Sequence, residues 1–511
     1  MEHPHLNSTE RIQVRVVSRS NRLLRHFFWL ILWILSGNHA AFAQSRYLTF
    51  GTGATPMSLS GDYRALGWNP AQLTFSPLNA EGWKSAVGGL EFGARMSSSV
   101  LEREDIWNDV LNRSEQTTTD WTQQDWDDYV SLLSNESIAL NADVVNVASA
   151  KKWRSWGVAY SSSQHFQAEA FLDEAPMNLL IQGAGSNWTE FFDVLLTIDG
   201  DTVENSGGFT PEQLLSFIGG IELDGDAVIA HILQDTELGF SWQRCHNVGI
   251  SKEWSMGGMT LHTGLSGKLM LGNGYFSVRT IDGELDAFGA FSNGFGIEKL
   301  AQITSGNPSA TDIARLWGPV GQGWGVDLGT VLELPGGLWL SAAVSDLGWM
   351  EWRGERYSLN ANLGTWTTPV QDPNSITDIV IGALTPDTWF NDAESETRVI
   401  PNGTKFQIGG GIRMSDKIFI AAEAAFDNPE LLGNAGTRAG VSLVFQPVRF
   451  IRFDSGISKW GSETYRIPAG LMIKTGNRGF ECGLQATDIQ AIWRPSQPEI
   501  GFRALAMRWM W

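Results

Sequence analysis

The residues that could do chemistry are few. Two Asp-Gly-Asp triplets, Asp199-Gly200-Asp201 and Asp224-Gly225-Asp226, place hard oxygen ligands at alternate positions, which suits calcium. An EF-type loop also needs glycine at its sixth position, where counting from Asp199 finds Glu204, so both triplets read as Asp-Gly turns. His165, His231, His246 and His262 lack the i, i+4 spacing of a zinc helix, and the cysteines, Cys245 and Cys482, form no paired motif. Gly264-Leu265-Ser266-Gly267 is not the Gly-x-Ser-x-Gly of a nucleophile elbow, and His262 to Leu269 fails the phosphate-loop pattern at both ends. Gly321-x-Gly323-x-Gly325 reads as a loop entering a strand. The sequence therefore offers no catalytic set, no metal site and no cofactor site, and an enzyme is not expected.

The elements that would position any site are strands. From about residue 236 onward, segments of about ten residues alternate in polarity and are separated by turn formers. Phe406, Ile408, Gly410, Ile412 and Met414 share one phase, Ser415-Asp416-Lys417 turns the chain, and Ile418, Ile420, Ala422, Ala424 and Phe426 return. The same grammar gives Ala439, Val441, Leu443 and Phe445, a Gln446-Pro447 turn, then Ile451, Phe453, Ser455 and Ile457. It also joins Ile467 to Ile473 with Phe480 to Ala486, and Trp324 to Leu328 with Leu338 to Val344 through Pro335-Gly336-Gly337. Such strands have the length of bilayer-crossing barrel strands, about 9 to 11 residues. The competing soluble sandwich would use strands of about five or six residues and would not need tryptophan near so many strand ends. Those tryptophans are Trp242, Trp254, Trp324, Trp339, Trp349, Trp352, Trp460 and Trp509. An indole is apolar with one N–H donor, so it suits the headgroup boundary. The expected fold is all-β, a transmembrane antiparallel barrel of about 14 strands.

Composition agrees. The chain has 511 residues, 23 of them Trp and 56 Gly, with 18% charged, against about 25% in an ordinary soluble protein. A net charge of -20 argues against nucleic acid, and two cysteines cannot make a disulfide scaffold. No segment offers the roughly 18 consecutive apolar residues of a membrane helix. At the N-terminus, Arg11, Arg15, Arg19, Arg22 and Arg25 precede the apolar run Phe27 to Leu35 and then Ala41-Phe42-Ala43, the order of a Sec signal peptide over residues 1–43. The alternative, an N-terminal anchor, meets a run that as a helix spans only about 14 Å. Cleavage before Gln44 removes five arginines and two acids and takes the charge from -20 to -23.

Between Glu102 and Ser149 eleven acids face only Arg103, Arg113 and no lipid-compatible run, so residues 102–234 are expected to include acidic, water-facing insertions. Gln123 to Ser134 carries Trp126, Tyr129, Val130 and Leu133 at helical spacing behind Thr122, and Thr210-Pro211-Glu212 starts a second helix that should end at Gly219-Gly220. Residues 300–323 and 365–403 read as further long loops.

Two stretches carry a resemblance. Gly61 to Ala71, containing Asn69-Pro70-Ala71, resembles the N-terminal signature of FadL-type and PorV-type outer-membrane barrels. Val326-Asp327-Leu328-Gly329, followed by Asp346-Leu347-Gly348-Trp349 and Trp352, resembles a Bacteroidota outer-membrane family of unknown function within that broad group. The resemblance implies a plug or hatch over residues 44–80 inside a barrel formed by residues 81–511. The other reading of Asn69-Pro70-Ala71 is a turn before the first strand, since Asn caps and Pro fixes φ. It also implies location in the cell outer membrane and admission of small hydrophobic or other solutes past the plug. The rival is a structural barrel of a secretion or surface complex, its acidic insertions binding a protein partner. The ligand-binding residues of the fatty-acid transporters map to no identifiable position.

The chain ends on Leu505, Met507, Trp509 and Trp511 in one phase, with Arg503 expected to reach a headgroup and Arg508 to point inward. An aromatic terminus of this kind is, by the resemblance, a signal to the barrel-assembly machinery, carried by Trp509 and Trp511. Removing Met510 and Trp511 should sharply lower the amount of protein in the membrane and expose it to periplasmic proteolysis, because an unclosed barrel leaves strand edges unpaired. Normal membrane levels of the truncated chain would contradict this.

Overall fold

A computed structural model of the chain describes residues 52–78, 84–98, 136–172, 194–197, 201–207, 216–221, 236–281, 284–291, 319–359, 390–427, 436–460, 465–475, 479–492 and 499–510, with Ser134, Phe209 and Gln213. The expected leader over 1–43, the expected Gln123–Ser134 helix up to residue 133, His231, Asp224-Gly225-Asp226 and Trp511 lie outside the described residues.

The strands are β1 (Ser85–Ser98), β2 (Glu136–Trp153), β3 (Trp156–Leu172), β4 (Val194–Thr197), β5 (Thr202–Glu204), β6 (Phe217–Ile221), β7 (Glu237–Met256), β8 (Met259–Ile281), β9 (Glu284–Phe291) and β10 (Gly321–Leu334). They continue with β11 (Leu338–Leu359), β12 (Phe390–Pro401), β13 (Lys405–Ser415), β14 (Ile418–Asp427), β15 (Gly436–Val448), β16 (Ile451–Trp460), β17 (Ala469–Lys474), β18 (Phe480–Ala486) and β19 (Glu499–Met510). Fourteen of them close a ring of antiparallel neighbours, β1-β2-β3-β7-β8-β10-β11-β13-β14-β15-β16-β17-β18-β19, which returns to β1 through pairs such as Ala86 with Met510. Two more strands extend the wall at one end. β9 continues above β10 between β8 and β11, and β12 runs beside Trp349–Leu359 of β11.

Short turns gather at the opposite end. Between β7 and β8, Gly257 (φ 51°) and Gly258 (φ 92°) both take left-handed conformations, the requirement of a two-residue hairpin turn that follows strand twist. Barrels of the outer-membrane kind keep short turns on the periplasmic side and longer connections outside.

The alternation is inverted relative to a soluble sheet. Along β10 the inward residues are Gly321, Gly323, Gly325, Asp327, Gly329 and Val331, whereas Trp324 and Leu328 face out. Ile250, Leu265 and Leu328 form one outward row across β7, β8 and β10, each more than 40% exposed. An apolar outer face of this extent is the mark of a lipid contact. At the short-turn end Lys252 sits over the rings of Trp156 and Trp254 at 4.8 and 3.9 Å, and toward the other end Trp324 and Trp349 meet edge to face at 4.4 Å. Ten residues separate Trp324 from the last residue of β10. At about 3.4 Å each, with a tilt near 40°, that is about 25 Å of wall, the height of an outer-membrane barrel's apolar band.

Several expectations need correction. Trp339 and Trp352 are almost fully buried and face the interior, because each shares the inward phase of its strand. The second helix ends before Gly219-Gly220: Gln213 is helical and Ser216 turns, but Gly219 and Gly220 already pair with Leu196 and Leu195 in a small sheet of β5, β4 and β6. Residues 390–401 are a strand, β12, within the stretch read as a loop. Gln446 and Pro447 lie in β15, which slips register between Phe445 and Val448 and turns at Arg449-Phe450. Arg503 lines an interior cavity instead of reaching a headgroup. A row of irregularities explains this. The ladder of β18 with β19 slips between Glu481 and Gly483, Leu90 of β1 has φ 56°, and β2 slips against β3 between Val145 and Val147. A bulge shifts the two-residue phase, so Arg503 and Arg508, five positions apart, both turn inward.

Leu265→Arg places a charge mid-strand on the outer face, and the refolded barrel should lose about 2 to 4 kcal/mol, measured by urea unfolding in detergent or vesicles. An unchanged midpoint would show that this face does not meet hydrocarbon.

Candidate functional site

The lumen holds the N-terminal segment. Residues 52–78 contain three short helices, α1 (Pro56–Leu59) and the 3-10 turns η1 (Asp62–Ala65) and η2 (Pro70–Leu73), and all but Ser76 are buried. The turns are short because Pro56 and Pro70 start them and Gly61 and Gly67 interrupt them. Backbone groups in such a segment need partners, and the wall supplies them. Gly53 N–H donates to Asp454 at 3.0 Å, Ala54 N–H to Ser442 Oγ at 2.6 Å, and Ser58 N–H to Glu423 at 3.3 Å. Trp339 Nε1 donates to Ser58 O at 3.2 Å, Lys152 Nζ to Thr74 O at 2.6 Å, and Arg413 to Pro77 O at 3.1 Å. Apolar contacts add Leu59, Phe75 and Leu78 packed among Val331, Trp339 and Phe419.

Asn69-Pro70-Ala71 forms a capped turn inside the barrel. Asn69 Oδ1 accepts from Ala71 N–H at 3.1 Å, Asn69 Nδ2 donates to Thr330 O at 3.2 Å, and Pro70 opens η2. Two wall glycines make room for this turn. A Cβ at Gly264 would stand 2.6 Å from Pro70 O, and one at Gly329 would overlap the Asn69 amide.

A buried ionic cluster ties the segment to the closing strands. Asp62, at φ 56°, bonds Arg508 of β19 at 2.9 Å and Arg64 at 3.4 Å; Arg508 also pairs with Glu481, and Tyr63 donates its hydroxyl to Glu91. Arg508 is inaccessible to solvent.

A second cluster sits in the wall. Lys268 Nζ lies 2.7 Å from Asp327 and 2.5 Å from Asp346, all three being at most 1% exposed. Asp327 also accepts from Ser266 Oγ at 2.5 Å and from the backbone N–H of Asp346 at 2.9 Å. Register slips here between β10 and β11, and Asp346 takes φ 63°, so Ser345 and Asp346 both turn inward. The Asp346-Leu347-Gly348-Trp349 stretch thus splits its duties: Asp346 binds Lys268, Leu347 faces out, Gly348 packs on the backbone of Trp324, and Trp349 meets the Trp324 ring. Trp509 faces out beside Phe480.

Sequence reading missed one constellation. Ser163 Oγ lies 2.8 Å from His165 Nε2, and His165 Nδ1 2.7 Å from Asp143, a Ser-His-Asp chain assembled because Asp143 pairs with His165 across β2 and β3. Only cross-strand register could have revealed it. Its carboxylate, not its hydroxyl, lines the cavity described below; Ser163 is 2% exposed, and the neighbouring N–H groups belong to strand ladders, so among the described residues no oxyanion hole faces the serine. Among the described residues no cluster of three or more His, Cys, Asp or Glu side chains could hold a metal.

A closed ring with an apolar exterior and an ionic, occupied lumen defines a membrane-spanning β-barrel of the outer-membrane kind. Residues 236–397, less than half the chain, match a family described as "Family of unknown function (DUF5723)", and that stretch contains Lys268, Asp327 and Asp346 together. The chain is similar to the toluene transporter TodX of P. putida, at 8% identity and TM-score 0.41, covering 91% of this chain and 98% of that one. It is similar to the Ralstonia pickettii toluene transporter TbuX at 12% identity and TM-score 0.38, covering 89% and 98%, and to the translocator domain of the autotransporter NalP from Neisseria meningitidis at 10% and 0.31, covering 85% and 91%. No curated protein matches the chain.

Lys268→Met strands two buried carboxylates and should cost about 3 to 5 kcal/mol in urea unfolding, whereas adding Asp327→Asn and Asp346→Asn should recover much of it. Equal stability of Lys268→Met and the unaltered chain would remove the triad from the list of fold determinants.

Proposed function

We propose that the protein is an outer-membrane channel for small polar solutes, held shut by residues 52–78. The observation that carries this reading is the buried pair of Asp62 with Arg508, surrounded by a plug whose backbone is bonded to wall side chains. Such bonds can be exchanged for water at a net cost of about 0.5 to 1.5 kcal/mol each, so a segment held largely by them can leave a lumen that water enters. The interior cavity beside the plug has a volume of ≈ 90 Å³, against about 300 to 1,000 Å³ for a pocket that encloses an apolar ligand. Its size and the four arginines in its lining, Arg95, Arg438, Arg466 and Arg503, favour a small polar cargo over a hydrophobic one. Lipid around the apolar band and the assembly machinery at the terminal strand are the partners this reading requires.

The scaffold reading has one observation in its favour. Cys245, Met270, Tyr275, Phe288, Met350 and Trp352 pack into an apolar cluster on the inner side of β7, β8, β9 and β11 and fill that part of the interior.

Conductance separates the two. In planar bilayers the mature chain lacking residues 46–80 should conduct several-fold more than the intact chain while staying heat-modifiable on gels, and Asp62→Asn should raise the frequency of openings. Unchanged conductance in the deletion would overturn the channel reading and favour the scaffold.

A further inference from the structure

The cavity on the long-loop side of the plug is lined by four arginines, Arg95, Arg438, Arg466 and Arg503, and among the described residues by one carboxylate, Asp143. We infer that it is a binding site for an oxyanion, a carboxylate or phosphate group carried by a small solute. This deepens the channel reading by naming the chemistry of its cargo.

Strand register builds the space. Gln485, Arg503, Gly93, Asp143 and His165 stand in one row across β18, β19, β1, β2 and β3, all turned inward. Gly93 contributes no side chain, so Arg503 and Asp143 are held about 10 Å apart, two strand spacings, with a gap between them. The row above repeats the device, with Gly501 lying beside Arg95. Arg438 enters from β15, bonded to Glu423 at 3.1 Å and lying 4.9 Å over the ring of Trp68, and Arg466 enters from the segment before β17.

The floor belongs to the plug. Gly53, Ala54, Pro56 and Trp68 line the cavity from below, and the buried indole N–H of Trp68 has no acceptor among the described residues. Asp143, the one carboxylate of the lining among the described residues, is engaged by His165 at 2.7 Å. The remaining charged groups are the four arginines, which only donate, beside the amides of Asn141 and Gln485 and the hydroxyls of Ser458 and Thr487. Guanidinium forks match carboxylate and phosphate oxygens in pairs, and these charge-assisted bonds are the strong ones. A protein with formal charge -20 that gathers four arginines around one interior space has arranged them against its own average.

Calorimetric titration of the mature full-length chain in neutral detergent at low salt tests this, with inorganic phosphate and succinate in separate runs and choline as the cationic control. Phosphate, succinate or both should bind saturably, and choline should not. Arg95→Gln with Arg503→Gln should weaken binding at least tenfold, Arg353→Gln on the outer rim should leave it unchanged, and Asp143→Asn should tighten it several-fold. The last variant gains affinity, so misfolding cannot mimic it. Binding of phosphate alone or succinate alone assigns the group. No binding of either anion to the intact chain, or equal binding by the double variant, overturns the inference. Because the readout is affinity in the closed barrel, it stands apart from the conductance of the plug deletion.

Discussion

Closure of the strand ring is the constraint on which the rest depends. In hydrocarbon no water is available to an unpaired N–H or C=O, so a sheet can cross only when its last edge finds its first. Here β19 pairs along β1 from Met510 to Glu499, and β10 bridges β8 to β11. Once the ring is closed, two environments exist that a soluble fold lacks, an outer face that must be apolar and an enclosed lumen that must satisfy whatever polar groups point into it. The lumen is filled by the chain's own N-terminal segment and by ion pairs. Arg508 lies on the closing strand and holds Asp62 of the plug, so closure and occupation of the lumen share a residue.

Buried charges divide into two kinds. Lys268, Asp327 and Asp346 pair with one another within the wall, across three neighbouring strands. The arginines on the other side face a cavity floored by the plug. The first group fixes register at a bulge, where Asp346 accepts a left-handed backbone. The second concentrates positive charge where a mobile anion could reach it.

Much of the fold was legible in the sequence, because a two-residue period in a membrane strand is unbroken over ten residues or so. The hairpin from Phe406 through Asp416 to Phe426 is there as read, and the count of about 14 strands equals the ring. The failures share a cause. Trp339 and Trp352 were assigned to the membrane boundary by residue type, and Arg503 by position, but facing is set by phase, and phase changes at each bulge. A bulge leaves no reliable mark on sequence beyond an occasional residue such as Asp346. Strand β12, with Glu394, Glu396, Thr397 and Arg398, looked like a loop because it stands above the apolar band and has no lipid face to alternate. Of the site, Asp327 and Asp346 stood out as a repeated Asp-Leu-Gly, whereas Lys268 and the cavity arginines are distant in sequence and converge only through register.

The inverted alternation has a consequence for the journey before folding. From Gly321 to Val331 the inward positions of β10 are glycine, aspartate and valine, the outward ones include Trp324 and Leu328, and the mean hydropathy of the whole chain is only -0.12. A translocating polypeptide is halted in the inner membrane by a long uninterrupted apolar run, of about 20 residues. The sequence contains no such run. The residues that make the finished wall greasy on one side thus form no run that would hold the unfolded chain in a bilayer as a helix, and lipophilicity emerges only when pairing sorts the two phases onto opposite faces.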